Sequence, residues 1–265
     1  MNSTRKNTCA GWVVLVCLLL VAGGCGKLKA RDQLNKGVAA YKAAKYQVAI
    51  ERFKSAVELD PSLLNAKLYL ATAYANQYVP GSEMEENVKM GEQAIAEFQE
   101  VLKEDKNNVS SIQGIANLYF QMKRMNEAKD FYKQQIALDP NNAEAYYSVG
   151  VIDWTLAYQP RMELKNRLKY KTDEPIKDAK ERAALAVKNT PLIEEGMNAL
   201  KKAMDLRPEY DDAMAYMNLL YREKADLEES PDNREADLKT ADKLIADTLD
   251  IKKKKAQKPA KPSGG

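Results

Sequence analysis

Residues 128–153 read AKDFYKQQIALDPNNAEAYYSVGVID, and the order of small, aromatic and turn-forming residues within them sets the reading of the whole chain. Ala128, Tyr132 and Ile136 recur at helical spacing, so one helix carries them and ends at Asp139-Pro140. Proline has no N–H and its ring clashes with the preceding turn, so it cannot continue a helix. Asn141-Asn142 supplies the turn, and a second helix starts at Ala143 and carries Tyr146, Val149 and Gly150. Small Ala and Gly between aromatic residues let two such helices approach closely.

The same junction recurs. Its spacing of 4, 3 and 5 residues through Ala128, Tyr132, Gln135 and Pro140 returns at Ala49, Phe53, Ala56 and Pro61. It returns at Ala94, Phe98, Val101 and Lys106, where Lys replaces the proline, and at Gly196, Leu200, Ala203 and Pro208. The first-helix half recurs through Leu70, Ala71 and Tyr74, through Ile115, Ala116 and Tyr119, through Val149, Gly150 and Asp153, and through Met217, Asn218 and Tyr221. Gly37 opens the series, with Tyr46 before Ala49. This arrangement resembles the tetratricopeptide-repeat (TPR) family, whose pattern is W-x2-L-G-x2-Y, then A-x3-F, then P, over about 34 residues. The resemblance covers about residues 30–250. One helix hairpin cannot bury both of its apolar faces, but stacked hairpins bury a continuous core through neighbour interfaces. The resemblance implies an all-α, right-handed superhelical solenoid of about five TPR-like hairpins with a concave groove.

The expected helix pairs are Asp32–Ala44 with Tyr46–Glu58, Ser62–Tyr78 with Glu83–Glu104, and Val109–Met122 with Asn126–Ala137. Ala143–Tyr158 with Pro191–Leu206 and Tyr210–Glu228 with Pro231–Ile251 complete the set. Ser82 with Glu85 has the form of a capping box, and Thr190-Pro191 and Ser230-Pro231 place a hydroxyl before a proline at a first helical position. Insertions fall between the helices of repeats 2, 4 and 5: Pro61 to Lys106 spans 45 residues and Pro140 to Pro208 spans 68. In a regular stack those turns share one edge. The 68-residue gap equals two periods, yet Asn166 and Lys169 are polar where a hidden second helix needs small or apolar residues. Residues 159–189 are therefore read as an inserted helical segment, with a degenerate sixth repeat as the alternative; the charge density of Lys165–Lys180 favours partial mobility.

Composition narrows the chemistry. Histidine is absent, which removes the commonest general base and metal ligand. The three cysteines, Cys9, Cys17 and Cys25, all lie in the first 25 residues, so neither a disulfide framework nor a Cys-based zinc site is expected beyond them. Charged residues make up 30% with nearly balanced sign, which suits helices laced with exposed ion pairs and not a nucleic-acid binder. No cofactor, metal or catalytic residue is expected.

The N-terminus reads as a secretory leader: Arg5 and Lys6, an apolar run of 13 residues from Ala10 to Ala22, then Gly23, Gly24 and Cys25. The run is shorter than the roughly 20 residues a membrane-spanning helix needs. The small residues before Cys25 resemble a bacterial lipobox, which implies cleavage after residue 24, a lipidated Cys25 and a tether over 25–31. A plain signal peptide or an uncleaved anchor with an incidental cysteine is the alternative. Three acyl chains exceed what stable anchoring requires. Gly26 rather than Asp after the cysteine leans towards an outer-membrane lipoprotein facing the periplasm over an inner-membrane one.

The repeats then occupy 32–251, followed by a basic tail, 252–265, KKKKAQKPAKPSGG. Of 41 basic residues the leader holds two and the tail six, so the 33 between them face 38 acids and the folded part carries about −5. Such a tail is expected to be disordered and is either a solubilising end or a contact to an anionic surface.

By the resemblance, the groove is lined by one face of the first helices: Asn65, Leu68, Thr72, Asn76, Gln113, Asn117, Phe120, Gln121, Tyr147, Val151 and Trp154. Amides both donate to and accept from an extended peptide backbone, and aromatics supply contact area. Tyr147 and Trp154 packing against the inserted segment is the competing reading. Leu34 and Val38 stand where relatives that clamp a free C-terminal carboxylate carry Lys and Asn, so that mode is not expected. The sequence thus reads as a non-enzymatic, lipid-anchored envelope protein that binds a partner protein, as in outer-membrane assembly, pilus or secretion machinery, or polysaccharide export. The alternatives are an envelope hydrolase or polysaccharide-processing accessory using the inserted segment, and a surface binder acting through the lysine tail.

Overall fold

The structure, a computed structural model, describes residues 26–257. The expected signal peptide over 1–24, the lipidated Cys25 and residues 258–265 of the tail lie outside the described residues. Among the described residues there are ten helices and no strands. Helix α1 spans residues 26–42. After it come α2 Tyr46–Leu59, α3 Leu64–Ala75, α4 Glu85–Glu104 and α5 Val109–Gln121. The remaining helices are α6 Met125–Leu138, α7 Ala143–Leu168, α8 Ala179–Leu206, α9 Asp211–Ala225 and α10 Pro231–Gln257. They fall into two compact units that divide between residues 123 and 124, and each is described by itself.

The recurring positions make the core of both units. In the first, Ala49, Phe53, Ala56, Leu70, Ala71, Tyr74, Ala94, Phe98, Val101, Ile115 and Ala116 are all buried. Close approach explains the glycines: a Cβ on Gly114 would lie 2.5 Å from the Phe98 ring, and one on Gly37 would collide with Phe53. In the second unit Ala128, Tyr132, Gln135, Val149, Leu200, Ala203 and Met217 are buried likewise, with Gly150 closed against Leu200.

Turn chemistry repeats with the core. The residues ending α2, α4, α6 and α8, namely Asp60, Asp105, Asp139 and Arg207, have extended backbones with φ −147°, −129°, −136° and −138°. Three of the next residues are proline, and a residue before proline is held out of the helical region. Lys106 keeps the turn without one, because the Asp105 carboxylate accepts from the Asn107 amide at 3.3 Å as Asp60 accepts from Ser62 and Asp139 from Asn141. Asn108 and Asn142 then cap α5 and α7 by accepting from Ser111 and Ala145, each at 3.0 Å. Asn142→Ala is expected to cost about 1 kcal/mol, read as a lowered urea midpoint with an unchanged slope.

Several boundaries differ from the sequence expectation. Residues 26–31 are the first turns of α1 and not a tether, because GKLKAR holds no proline and Ala30 buries completely. The Ser82–Glu85 capping box is not formed. Met84 is the N-cap of α4, and Asn87 holds the preceding loop by bonding both the N–H and the carbonyl of Val79 and the carbonyl of Ser82. Ser230 does cap α10, accepting from the Asn233 amide at 3.4 Å. At the other end α10 continues to Gln257, six residues into the stretch expected to be disordered. Lys255 bonds Asp211 at 2.5 Å and the Glu209 carbonyl at 2.8 Å, and this tertiary contact keeps the lysine run helical.

The largest departure is residues 159–189. They are neither an independent helical segment nor a sixth repeat. α7 runs through Pro160 and α8 through Pro191, so one hairpin is simply longer, its turn lying at residues 169–178. Pro160 leaves the Leu156 carbonyl without its helical donor; beside it the buried Asn189 amide donates to the Ala157 carbonyl at 2.7 Å. Thr190 therefore caps nothing. Asp178 does, accepting from the amides of Lys180 and Glu181 at 3.0 Å. Ile176 folds back into a small apolar cluster with Leu164 and Leu185. Lys165, fully buried, donates to the carbonyls of Thr172 and Glu174 at 2.7 and 2.8 Å. The stretch expected to be partly mobile is thus tied to the core by both apolar and polar contacts. Within this unit the insertions of repeats 4 and 5 meet on one edge, as a regular stack requires: Arg234 of α10 donates to the Asp173 carbonyl in the α7–α8 turn at 3.0 Å.

Candidate functional site

In the first unit the expected groove residues lie on α3 and α5, which touch directly. Asn65, Asn76, Gln113, Asn117 and Gln121 are exposed, while Leu68, Thr72 and Phe120 are half-buried. Thr72 donates its hydroxyl back to the Leu68 carbonyl at 2.8 Å, so it offers less to a ligand than the amides do. Asn76 bonds the Tyr41 hydroxyl, which places α1 beside the same face. This face presents five amide side chains along α3 and α5, Asn76 at the C-cap of α3 among them, together with the Phe120 ring, a mixture suited to extended backbone.

In the second unit the site is aromatic. Tyr147 and Trp154 are half-buried, but Val151 is only 5% exposed and belongs to the core. α7 packs against α6, α8 and α9, which leaves too narrow an outward stripe for Val151 to share. Tyr147 and Trp154 do not pack against the inserted segment. Tyr147 meets Tyr210 and Tyr216, with ring centroids 5.1 and 5.7 Å apart. Trp154 meets Tyr158 at 5.1 Å and Tyr216 at 5.4 Å, the latter edge-on at 71°. Such tilted and edge-to-face pairs are the favoured aromatic geometries. Arg161 extends the ladder with its guanidinium 5.4 Å from the Tyr158 ring. Tyr158, Tyr210 and Tyr216 were not among the sequence candidates. Tyr158 and Arg161 continue the spacing of Tyr147 and Trp154 along one stripe of α7 and were legible there, whereas Tyr210 and Tyr216 arrive from α9 and were not.

Two of these phenols, Tyr147 and Tyr210, are shifted upward. Burial pushes Tyr147 well up, with the neighbouring Tyr216, Asp212 and Glu144 adding to it. Burial also pushes Tyr210 up, helped by its own hydrogen bond to Glu144 at 2.7 Å. Tyr147 therefore keeps an O–H at the rim of an apolar surface, the property that enriches Tyr and Trp in protein interfaces, while the Tyr210 proton is given to Glu144.

Beneath this face lie two charge networks that sequence reading missed. Asp153 is wholly buried and stands where the other first helices carry the core residues Tyr74 and Tyr119. It pairs with Lys129 of α6, which also pairs with Glu195 of α8 at 2.6 Å, while Lys133 holds Glu195 at 2.5 Å. Burial pushes the Asp153 carboxyl up to about 6, only partly offset by Lys129, and its second oxygen has no partner. The other network joins Arg161 to Glu223 at 2.6 Å and to Asp226 at 2.9 Å, with Lys165 on Asp226 at 2.5 Å. Burial raises Glu223 against the pull of Arg161, and burial lowers Lys165. Among the described residues no group of three His, Cys, Asp or Glu side chains is placed to hold a metal ion.

Comparison with known proteins follows from this geometry. Residues 89–149 match a tetratricopeptide-repeat family model. No curated protein sequence matches the chain. The fold matches a crystal structure of MamA with a TM-score of 0.60 at 15% identity, covering 88% of this chain and 97% of that one. It matches MamA from Desulfovibrio magneticus RS-1, residue 41 to the end, with a TM-score of 0.57 at 17% identity, covering 87% and 97%. It also matches YrrB, described as a TPR protein with an unusual peptide-binding site, with a TM-score of 0.53 at 15% identity, covering 83% and 90%. At these identities the likeness establishes the fold: an all-helical arrangement of the tetratricopeptide-repeat kind.

Proposed function

We propose that this tetratricopeptide-repeat fold serves as a non-enzymatic, lipid-anchored scaffold of the cell envelope, docking a partner protein on the faces of its first helices. The aromatic ladder of the second unit carries the reading. Tyr147, Trp154, Tyr158 and Tyr216 are half-buried, mutually braced and already ordered, so a partner that covers them loses little side-chain entropy. The amide-bearing face of α3 and α5 supports the same use, since it offers both donors and acceptors to an extended segment. The YrrB neighbour, named for a peptide-binding site, is in keeping with it. The anchoring half rests on the leader: Cys25 after Ala22-Gly23-Gly24 would take the acyl chains, and Gly26 after it favours the outer membrane.

The test is photo-crosslinking from positions 117 and 216 in envelope fractions, with Trp154→Ala compared against the unaltered chain. Loss of an interface aromatic of this kind costs about 2 kcal/mol or more, so capture of the crosslinked partner is expected to fall about thirtyfold. Failure to find any protein partner, or capture unaffected by Trp154→Ala, would overturn the docking role. Cys25→Ser is expected to move the protein out of the membrane fraction; if it stays, the lipid anchor is wrong while docking stands.

The lysine run at 252–255 is partly engaged by acids of its own chain. Lys252 lies 3.8 Å from Asp212, Lys254 pairs with Asp250 at 2.6 Å, and Lys255 pairs with Asp211 at 2.5 Å. An anionic surface would have to compete with these carboxylates. A hydrolase or polysaccharide-processing role for the inserted segment is less favoured, because residues 159–189 are helix extensions and a turn whose buried cations, Arg161 and Lys165, pair with Glu223 and Asp226 of the neighbouring hairpin.

A further inference from the structure

The two elongated hairpins of the second unit meet over a cleft of about 290 Å³ lined by Arg161, Arg222 and Arg234 together with Thr172, Leu238 and two acids, Asp173 and Asp226. Each guanidinium is fixed by part of its donors and keeps the rest. Arg161 spends Nε on Glu223 and Nη1 on Asp226. Arg222 spends Nε on Asn218 at 3.0 Å and Nη2 on Asp242 at 2.6 Å. Arg234 spends Nη2 on the Asp173 carbonyl, and its Nε is buried with no hydrogen-bond partner at all. Among the described residues, Nη2 of Arg161 and Nη1 of Arg222 and Arg234 make no hydrogen bond to protein. A buried, unpartnered charged donor costs more than an ordinary lost hydrogen bond, so an acceptor supplied from outside would be favoured here.

The local charges allow one. Of the two lining acids, Asp226 already accepts from Arg161 and Lys165 and lies 4.0 Å from Arg234, while Asp173 gives its carbonyl to Arg234; three lining guanidiniums face two lining carboxylates. Glu223 is taken by Arg161 and Asp242 by Arg222. The acids thus hold the guanidiniums in place but do not use up their donors. Guanidinium forks match phosphate geometry bidentately. A tetrahedral oxyanion offers at least three oxygens to donors that come from three separate helices, whereas a carboxylate offers two.

The geometry points to a phosphate-binding site in this cleft, accepting the phosphate-monoester group of a small molecule or a lipid headgroup. It sits at the turn edge of the two hairpins, apart from the aromatic ladder except through Arg161, which also stacks on Tyr158. It needs no partner protein.

The experiment is calorimetric titration of the full chain with inorganic phosphate at constant ionic strength, with chloride as the reference anion. Glycerol 3-phosphate and vesicles of phosphatidylcholine with phosphatidate form the two source arms. Saturable phosphate binding at one site is expected, weakened about tenfold in Arg222→Gln and in Arg234→Gln as charge-assisted bonds are lost. The Arg222 side chain is 38% exposed, so its substitution leaves the fold intact, which circular dichroism checks. Stronger response to phosphatidate vesicles than to glycerol 3-phosphate assigns the headgroup as source, and the reverse assigns a soluble ester. Phosphate behaving as chloride does, or binding equally to both variants and the unaltered chain, would overturn the site.

Discussion

Arg161→Ala is expected to destabilise the second unit by about 3–5 kcal/mol, the scale for stripping one partner from a buried ion pair. The side chain is 7% exposed and its partners Glu223 and Asp226 are 1% and 6% exposed. Removing it leaves two carboxylates in a low-dielectric interior, Asp226 with Lys165 and the more distant Arg234, and Glu223 paired with neither. Glu223, already raised by burial, relieves the cost by taking up a proton, so the penalty should shrink as pH falls towards 4. Urea unfolding followed by the fluorescence of Trp154, the one tryptophan after Trp12, measures it at both pH values. Replacing Arg161 and Glu223 together by Met should recover most of the loss, because apolar groups of similar volume need no pairing. A penalty under 1 kcal/mol, or one independent of pH, would mean that water reaches these charges.

Asp153 should make stability depend on pH in a direction opposite to that of ordinary surface acids. Its folded value of about 6 lies above the 3.8 of an unperturbed aspartate. Between those values the folded state holds the proton more tightly than the unfolded state. Its contribution is therefore fully present below about pH 4 and is lost as pH rises through 6, amounting to about 3 kcal/mol at 1.36 kcal/mol for each unit. Asp153→Asn has no such group. Lys129 and Lys133 on α6 and Glu195 on α8, the charges that face Asp153, remain in both proteins. The stability of Asp153→Asn relative to the unaltered chain should then climb by about 3 kcal/mol from pH 4 to pH 7, read from paired denaturation curves. A constant difference across that range would show that Asp153 stays ionised throughout, held by Lys129.

Both expectations concern groups whose meaning no local pattern carries. Arg161, Glu223 and Asp226 lie on helices about 60 residues apart in the chain, and in a sequence with 30% charged residues each reads as part of a solvated face. Asp153 did leave a trace, since it breaks the series of core tyrosines at Tyr74, Tyr119 and Tyr221. What fills the space of that missing ring, however, is Lys129 reaching in from α6. Thr190-Pro191 misled for a related reason, since it has the form of a helix start. A proline inside a helix costs about 3 kcal/mol, at Pro160 and at Pro191 alike. In the folded unit the burial of Leu164, Ile176 and Leu185, each worth roughly 2 kcal/mol, and the Asn189 bond to the Ala157 carbonyl outweigh it.

The candidate docking face divides in the same way. Tyr147 and Trp154, with the amides of α3 and α5, were recognised from the repeat register, because outward first-helix positions follow once the buried ones are known. Val151 was misassigned by the same register, which gives an angle around the helix but not how many neighbours crowd it. Tyr210 and Tyr216, which complete the ladder, depend on how α9 lies against α7.

Short-range periodicity was therefore enough for most of the helices, their order, their small-residue contacts and the repeat-type fold, since each of those is fixed by residues within one or two turns of one another. The doubled length of the fourth hairpin, the salt-bridged floor beneath it, the arginine cleft and the docked lysine run came from contacts between distant segments. Their free energies arise only when burial removes water from both partners at once, and a linear string of residues carries no record of that event.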